Sequence, residues 1–332
     1  MRARDVAVVI PARNEGSTLE AAVRSALAQE VPSGLEVCVA VAPSDDDTRA
    51  VADYLKTVDS RVNVVDNPGG VTSVGLNMAI RGSSAPVVVR VDGHAVLPVG
   101  YVARAIATLE RTGAVNVGGI QNPRGTTPFE VAVGRAMASR FGAGDARFHY
   151  GGPEGAVDTV YLGVFQREAI EEVGLFNETL IRNQDYELNY RLRRAGGTIW
   201  FDPELLVGYR PRGSIKSLAK QFGQYGWWKQ IVLSKHPRSL RWRHLVAPTT
   251  TSAVFIGLAI GIFWAPLLVF PVGYGAALMV GSVAVGRTML EMLRLLVIYP
   301  TMHFSWGAGF LSGLLLRAAG SRDSGNEPQL AS

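Results

Sequence analysis

Cysteine is nearly absent from this chain of 332 residues. Cys38 is the single one, so no disulfide can form within the chain. That excludes the disulfide-stapled secreted scaffolds and suits a reducing compartment. Cys38 lies in a strand-like apolar run and reads as a core residue. Charge is missing over a long stretch, because no Asp, Glu, Lys or Arg occurs between residues 245 and 286. A bilayer-spanning helix takes roughly 20 apolar residues, so the run is long enough for a hairpin of two spans. These are expected at 246–264 and 267–285, with Pro266 and Pro271 near their turn. Acidic residues are also missing between Lys229 and His244, where Lys229, Lys235, Arg238, Arg241 and Arg243 stand directly before the apolar run. That is the positive-inside pattern, and it suits contact with anionic lipid head groups. Nucleic acid is not expected as a partner. The net charge of +5 is modest, and no recognition helix, zinc spacing or aromatic stacking set accompanies it. No signal peptide is expected at the start of the chain, since the apolar run after Asp5 ends before Arg13. The soluble part is therefore expected to stay in the cytoplasm.

What is present is an alternation of strand-like and helix-like segments. Val6-Ala7-Val8-Val9-Ile10 is a continuous apolar run, as in a central parallel strand. Leu19, Ala22, Val23, Ala26 and Leu27 then follow helical spacing. Strands at 35–41 and 62–65 alternate with helices at 49–56 and 72–81. Next come a strand at 87–91, a helix at 96–111, a strand near 115–120, a helix at 129–139 and a glycine-rich loop at 142–155. A strand at 157–165, a short helix at 167–173 and a helix from Asn183 to Gly196 follow, Asn183 being a plausible cap. Short strands at 198–201 and 205–209 precede an aromatic-rich amphipathic helix at 214–233. Short loops between alternating elements predict a doubly wound, mostly parallel α/β sheet. Ligands of such sheets bind at the carboxyl ends of the strands. The loops at 11–16, 43–48 and 92–94 all fall on that edge.

The last of these loops is the most informative. Val87-Val88-Val89-Arg90-Val91 runs into Asp92-Gly93-His94. With glycine between them, a carboxylate and an imidazole can turn toward one point beyond the strand. They could hold a divalent cation, and the cation a diphosphate. The same residues also fit a strand followed by a plain polar turn. Beyond residue 286, Arg287, Glu291 and Arg294 restore a polar boundary. A third apolar segment, 295–316, carries Pro300 and His303 and reads either as a third span or as a bent segment in the interface.

Several stretches occur together in a familiar order: Val9-Ile10-Pro11-Ala12-Arg13-Asn14-Glu15, Ser44-Asp45-Asp46-Asp47-Thr48, Asp92-Gly93-His94 and Gln184-Asp185-Tyr186-Glu187-Leu188. Over about residues 5–235 they resemble the inverting family 2 glycosyltransferases with a GT-A fold. Arg90-Val91-Asp92-Gly93-His94, Asp158-Thr159-Val160-Tyr161-Leu162-Gly163 and the segment from Gln221 to Lys229 resemble most the membrane-bound, succinoglycan-biosynthesis-type glucosyltransferases of bacteria. The resemblance implies that Pro11, Ala12, Arg13 and Glu15 border the nucleotide of a nucleotide-sugar donor. It implies that Asp92 and His94 hold Mg²⁺ or Mn²⁺ on the donor's diphosphate, histidine favouring Mn²⁺. Asp185 falls where the family carries its catalytic base, and Gln184 replaces the first member of an acidic pair. Gln224, Trp227 and Trp228 match an acceptor-holding motif, with Trp227 in place of an arginine. The two tryptophans also suit an interfacial aromatic belt. Ala42 stands where an aspartate would read uracil, so either Asp45 or Asp46 substitutes for it or the base is recognised more weakly.

The expected organisation is a cytoplasmic GT-A domain over 1–235, a basic juxtamembrane segment over 236–244, a membrane domain over 245–317 and a flexible tail over 318–332. The expected function is transfer from a UDP-sugar to a lipid-linked saccharide in cell-envelope or exopolysaccharide synthesis, by a multi-pass protein of the bacterial inner membrane. Arg210 or Arg212 could add positive charge near the diphosphate. Two alternatives are a polyprenyl-phosphate sugar synthase and a non-catalytic membrane scaffold that keeps the fold.

Overall fold

A computed structural model describes residues 5–32 and 34–318. The chain divides into two compact units, Met1–Asn122 with Arg147–Tyr209, and Pro123–Ala146 with Arg210–Ser332. The expected tail lies, beyond Ala318, outside the described residues.

The first unit opens with β1 (Val6–Ala12), α1 (Leu19–Leu27), β2 (Leu35–Val41), α2 (Thr48–Val58), β3 (Val62–Asp66), α3 (Thr72–Arg81) and β4 (Val87–Arg90). β1 pairs in parallel with β2 and β4, and β2 with β3. Side chains alternate between the two faces of the sheet. Val8 and Ile10 of β1 with Val37 and Val39 of β2 enter one core, and Val9 with Cys38 and Ala40 enters the other. Both faces are therefore dry, which is why these strands read as unbroken apolar runs. Cys38 is a core residue.

After β4 come α4 (Tyr101–Thr112) and β5 (Asn116–Pro123). The helix expected from residue 96 starts five residues later. Gly100, in the left-handed region at φ +79°, holds the preceding turn out of helix. The chain contributes α5 (Pro128–Met137) and α6 (Arg140–Ala143) to the second unit. It then returns with α7 (Arg147–Tyr150), β6 (Gly155–Val157), β7 (Tyr161–Gln166), α8 (Arg167–Glu172), α9 (Gln184–Arg194) and β8 (Ile199–Tyr209). The predicted strand at 157–165 is thus two strands, and the two predicted at 198–209 are one.

The eight strands lie in the order β3-β2-β1-β4-β7-β5-β8-β6. The pairs β4–β7, β5–β7 and β6–β8 are antiparallel. The mostly parallel expectation therefore holds for β1 to β4 and not for the other half of the sheet. A parallel neighbour needs a crossover connection. β5 and β7 are joined instead by an irregular excursion that carries only short helices and β6.

The second unit is helical. α10 (Ile215–Lys235) starts where Ser214 Oγ accepts the Ser217 N–H at 3.2 Å. It is followed by α11 (Arg243–Gly261), α12 (Val269–Val285) and α13 (Met289–Ala318). Residues Arg243–Gly261 and Ala265–Val285 form helices long and apolar enough to cross a membrane, by length and composition. α13 contains the third apolar segment, with Pro300 inside it. It buries Leu295, Ile298, Tyr299, Met302 and Phe310.

Candidate active site

The carboxyl ends of β1 to β4 lie on one edge of the sheet, and their loops build the candidate site. Those after β1 and β2 are stitched together. Asn14 takes a left-handed conformation (φ 55°), which asparagine tolerates better than most residues. Its N–H donates to Ser44 Oγ at 3.1 Å, and its Oδ1 accepts from the Asp45 N–H at 2.9 Å. The Glu15 N–H donates to Thr48 Oγ1 at 2.7 Å. Asp46 clasps both loops, accepting from the Gly16 N–H at 2.8 Å and from the Thr48 N–H at 3.0 Å. The Thr48 hydroxyl, then the Gly16 N–H, hold its carboxyl below the usual aspartate range. Asp45 and Asp46 are both exposed, but the Asp46 carboxylate is spent on the loops themselves. Ala42 is buried, its N–H bonded to the Ala12 carbonyl at 2.9 Å. Pro11 and Ala12 end β1, Ala12 buried. Arg13 is exposed and lies beside Gly70 in the loop after β3.

At the end of β4 the Ala95 N–H donates to the Asp92 carbonyl at 2.8 Å and closes a turn. Gly93 leaves room there for Glu15, because a Cβ would come within 2.9 Å of Glu15 Cγ and displace that side chain. Glu15 is thereby pressed against the turn. Its Oε1 lies 2.7 Å from His94 Nδ1, and its Oε2 accepts from Thr18 Oγ1 at 2.7 Å. A carboxylate on Nδ1 fixes the imidazole tautomer whose lone pair is on Nε2, the usual support for a metal-binding histidine. Burial opposes ionisation of Asp92, but Arg90, His94 and Arg182 outweigh it and hold the carboxyl below the ordinary value. Among the described residues no group of three or more His, Cys, Asp and Glu is arranged to hold an ion. Asp92 and His94 offer a carboxylate and an imidazole, donor types that suit Mn²⁺, and do not by themselves complete a coordination shell.

Asp185 enters from the start of α9. Asn183 is left-handed at φ 60° and makes no side-chain cap hydrogen bond, contrary to its expected role. Its backbone makes the turn, and Asp185 occupies the first turn of the helix, where negative charge is favoured. The carboxylate meets Arg90, which sequence reasoning left without a role. Arg90 is the last residue of β4 and only 5% exposed. Its Nε and Nη2 donate to Asp92 Oδ1 at 3.2 and 3.0 Å, and its Nη1 donates to Asp185 Oδ1. Burial pushes the Asp185 carboxyl above the ordinary aspartate value and Asp92 adds to this, while Arg90 opposes it. The signal for Arg90 was in the sequence. An arginine in the valine run of β4 is costly to bury unless it is paired.

Of the residues assigned to the acceptor, Gln184 is buried at the start of α9, in the first unit. Gln224, Trp227 and Trp228 lie half-buried on α10, in the second unit. Arg210 donates through Nε to Glu130 Oε1 at 3.0 Å within that unit, so its charge is already matched.

A GT-A-like Rossmann sheet with a nucleotide-type edge defines a class, the sugar-nucleotide-dependent transferases. The model of the family described as "Glycosyltransferase like family 2" matches residues 3–227, so the chain belongs to that family and is a glycosyltransferase. It is 30% identical over 314 residues to the succinoglycan biosynthesis protein ExoA of Rhizobium meliloti (strain 1021), covering 93% of this chain and 94% of that one. It is 22% identical to a dolichyl N-acetyl-alpha-D-glucosaminyl phosphate 3-beta-D-2,3-diacetamido-2,3-dideoxy-beta-D-glucuronosyltransferase of Methanococcus voltae, over 71% of this chain and 76% of that one. Among solved structures, the mannosyltransferase PcManGT from Pyrobaculum calidifontis, in complex with GDP-Man and Mn²⁺, superposes with a TM-score of 0.61. That match has 17% identity over 94% of this chain and 87% of that one, and it bears on the fold alone.

Proposed function

We propose that the protein is a membrane-attached inverting glycosyltransferase that moves a sugar from a UDP-sugar to a lipid-linked saccharide, in cell-envelope or exopolysaccharide synthesis. The observation that carries this reading is the shared arginine. Asp185, in the family's base position, and Asp92, in its donor position, bind the same guanidinium. A proton acceptor and a diphosphate site that close together suit a single displacement. Asp185 takes the proton of the acceptor hydroxyl as its oxygen attacks the anomeric carbon, with inversion and no covalent enzyme intermediate. Asp92 and His94 hold Mn²⁺ or Mg²⁺, which when bound supplies positive charge against the leaving diphosphate. Pro11, Ala12, Arg13 and Glu15 border the nucleotide. Of Asp45 and Asp46, Asp45 is the one left to meet the base, Asp46 being engaged. Gln184, next to Asp185 in the chain, serves the acceptor in the first unit. Gln224, Trp227 and Trp228 keep, within the second unit, the acceptor role that the motif resemblance implies.

The names of the two curated relatives, one in succinoglycan biosynthesis and one acting on a dolichyl phosphate sugar, support a lipid-linked acceptor. α12 supports membrane insertion. It carries no charged residue, yet Val269, Val272, Met279, Val280 and Val283 are each more than half exposed. A core helix would bury that surface, whereas a bilayer covers it. With the basic segment 236–244 on the cytoplasmic side, the catalytic unit faces the cytoplasm of a bacterial inner membrane.

The test is a donor screen of the purified protein with membrane lipid extract, read by the mass of the product, for the native chain and Asp185→Asn. Loss of transfer by about 10²- to 10⁴-fold in the variant is expected for a hydroxyl acceptor. A mild effect would identify a phosphate acceptor, which needs little help from a base, and hence a polyprenyl-phosphate sugar synthase. No transfer from any donor, with no metal-dependent UDP binding, would leave only the scaffold reading.

A further inference from the structure

Arg90 occupies a place where an aliphatic residue would be easier to bury. Val89 before it and Val91 after it are fully buried, and β4 pairs with strands on both sides. Replacing a buried ion pair by apolar residues is often neutral or stabilising, so the fold alone gives little reason for a guanidinium here. Its three contacts show a more specific use. The Nε–Nη2 edge is committed to Asp92 Oδ1, and Nη1 to Asp185 Oδ1. The guanidinium carbon lies 5.9 Å from the centre of the Phe176 ring, a cation–π contact that restrains the group. Among the described residues Arg90 is the only hydrogen-bond partner of the Asp185 carboxylate, and it takes one oxygen. Asp185 Oδ2 keeps its lone pairs, and the side chain remains 30% exposed.

We infer that Arg90 is a positioning residue that pins Asp185 by Oδ1 and fixes it relative to Asp92, leaving Oδ2 to take the acceptor's proton. This rests on the reading of Asp185 as the base. In the transfer step the acceptor O–H proton goes to Oδ2. The oxygen's electron pair forms the bond to the anomeric carbon, and the sugar–phosphate C–O bond breaks, its electrons leaving with the nucleoside diphosphate. Lysine cannot replace the arginine fully, because one ammonium is a point charge and not a planar fork reaching two carboxylates.

The test is a cycle of Arg90→Leu, Asp185→Asn and the double variant, with Arg90→Lys alongside. Kcat of the single Arg90→Leu variant is expected to fall about 10- to 100-fold, the usual effect of a displaced catalytic group. In the Asp185→Asn background the same change should cost less than about threefold, because the group that Arg90 positions is already gone. Arg90→Lys should fall between native and Arg90→Leu. Losses that multiply in the double variant would overturn the inference, as would an Arg90→Leu enzyme with native kcat. If Asp185→Asn alone leaves kcat unchanged, the base reading fails, and the single variant shows this without reference to Arg90. A second readout needs no donor or metal. Asp185→Asn should lower the melting temperature of the native background and raise it in Arg90→Leu, where it removes a carboxylate left without its partner. An equal loss in both backgrounds would mean that the two side chains are not coupled and would sink the inference. Should Arg90→Leu fail to fold, Arg90→Lys carries the same cycle.

Discussion

At Glu15 one side chain serves two loops. Its backbone is tied to Thr48, and its carboxylate lies between Thr18 and His94. The resemblance assigned Glu15 to the nucleotide, and the geometry adds that it orients His94, the proposed metal ligand. Groups behind a metal ligand commonly change affinity by 10- to 100-fold. Glu15→Gln is therefore expected to weaken Mn²⁺-dependent UDP binding by about that factor, measured by calorimetry, while metal-independent binding changes little. Equal weakening with and without Mn²⁺ would return Glu15 to the nucleotide. As the proposed base, Asp185 would set the pH dependence. It must be ionised to accept a proton, and burial raises its folded pKa. The rate is thus full above that pKa and falls as pH drops through it. The acid limb of kcat should lie above the value of about 4 usual for aspartate. Asp92, held below its ordinary value, stays ionised across that limb. A kcat profile that stays flat down to pH 4 would contradict the assignment.

Among the elements, α10 and α13 meet through glycine. A Cβ on Gly226 would lie far inside the van der Waals contact distance of the Trp306 carbonyl oxygen, and one on Gly309 would do the same at the Gly223 carbonyl. In an isolated helix Gly→Ala gains about 1 kcal/mol. Here the added methyl meets backbone, which cannot rotate away, and overpacking costs about 1–3 kcal/mol. Gly226→Ala should therefore lower the melting temperature in detergent, and a rise would show that the helices can part freely. The contact also revises the Gln224-Tyr225-Gly226-Trp227-Trp228 motif, since its glycine serves helix packing whatever its neighbours hold. What was legible in the sequence follows from range. β1 to β4 and their loops were readable because apolar runs, glycines and caps act within a few residues. The ordered motifs singled out Asp92, His94 and Asp185, and the structure joins Asp92 and Asp185 through one guanidinium, their roles being those proposed above. The antiparallel half of the sheet was not, because β5 and β7 pair across an irregular excursion that no local pattern encodes. That Arg90 needs a partner was legible in the valine run, but its partner was not, and the role of Asp46 was equally hidden. Arg90 pairs with a residue 95 positions away, and Asp46 with Gly16 at a distance of 30.

For the whole molecule, the open question at the sequence level was the third apolar segment. It now has neighbours within its unit. Gly307 of α13 lies against Ala247 and Thr251, in the first half of α11, and Gly313 lies against Gln230, near the end of α10. Both neighbours flank the basic segment 236–244, the proposed cytoplasmic boundary. A third full crossing would carry residue 313 to the opposite side, away from Gln230. α13 is therefore expected to return along the cytoplasmic interface, with Arg317 on the same side as Arg238. Single cysteines can test this without removing the native one. Cys38 is 1% exposed, and burial pushes its thiol up to about 11, so it should stay unreactive in the folded protein. An impermeant maleimide should label Ala265→Cys, in the exposed turn between α11 and α12, in intact spheroplasts. Arg238→Cys and Arg317→Cys should be labelled only after the membrane is opened. Labelling of Arg317→Cys in intact cells would make α13 a third span, and labelling of Ala265→Cys only after opening would exclude the hairpin.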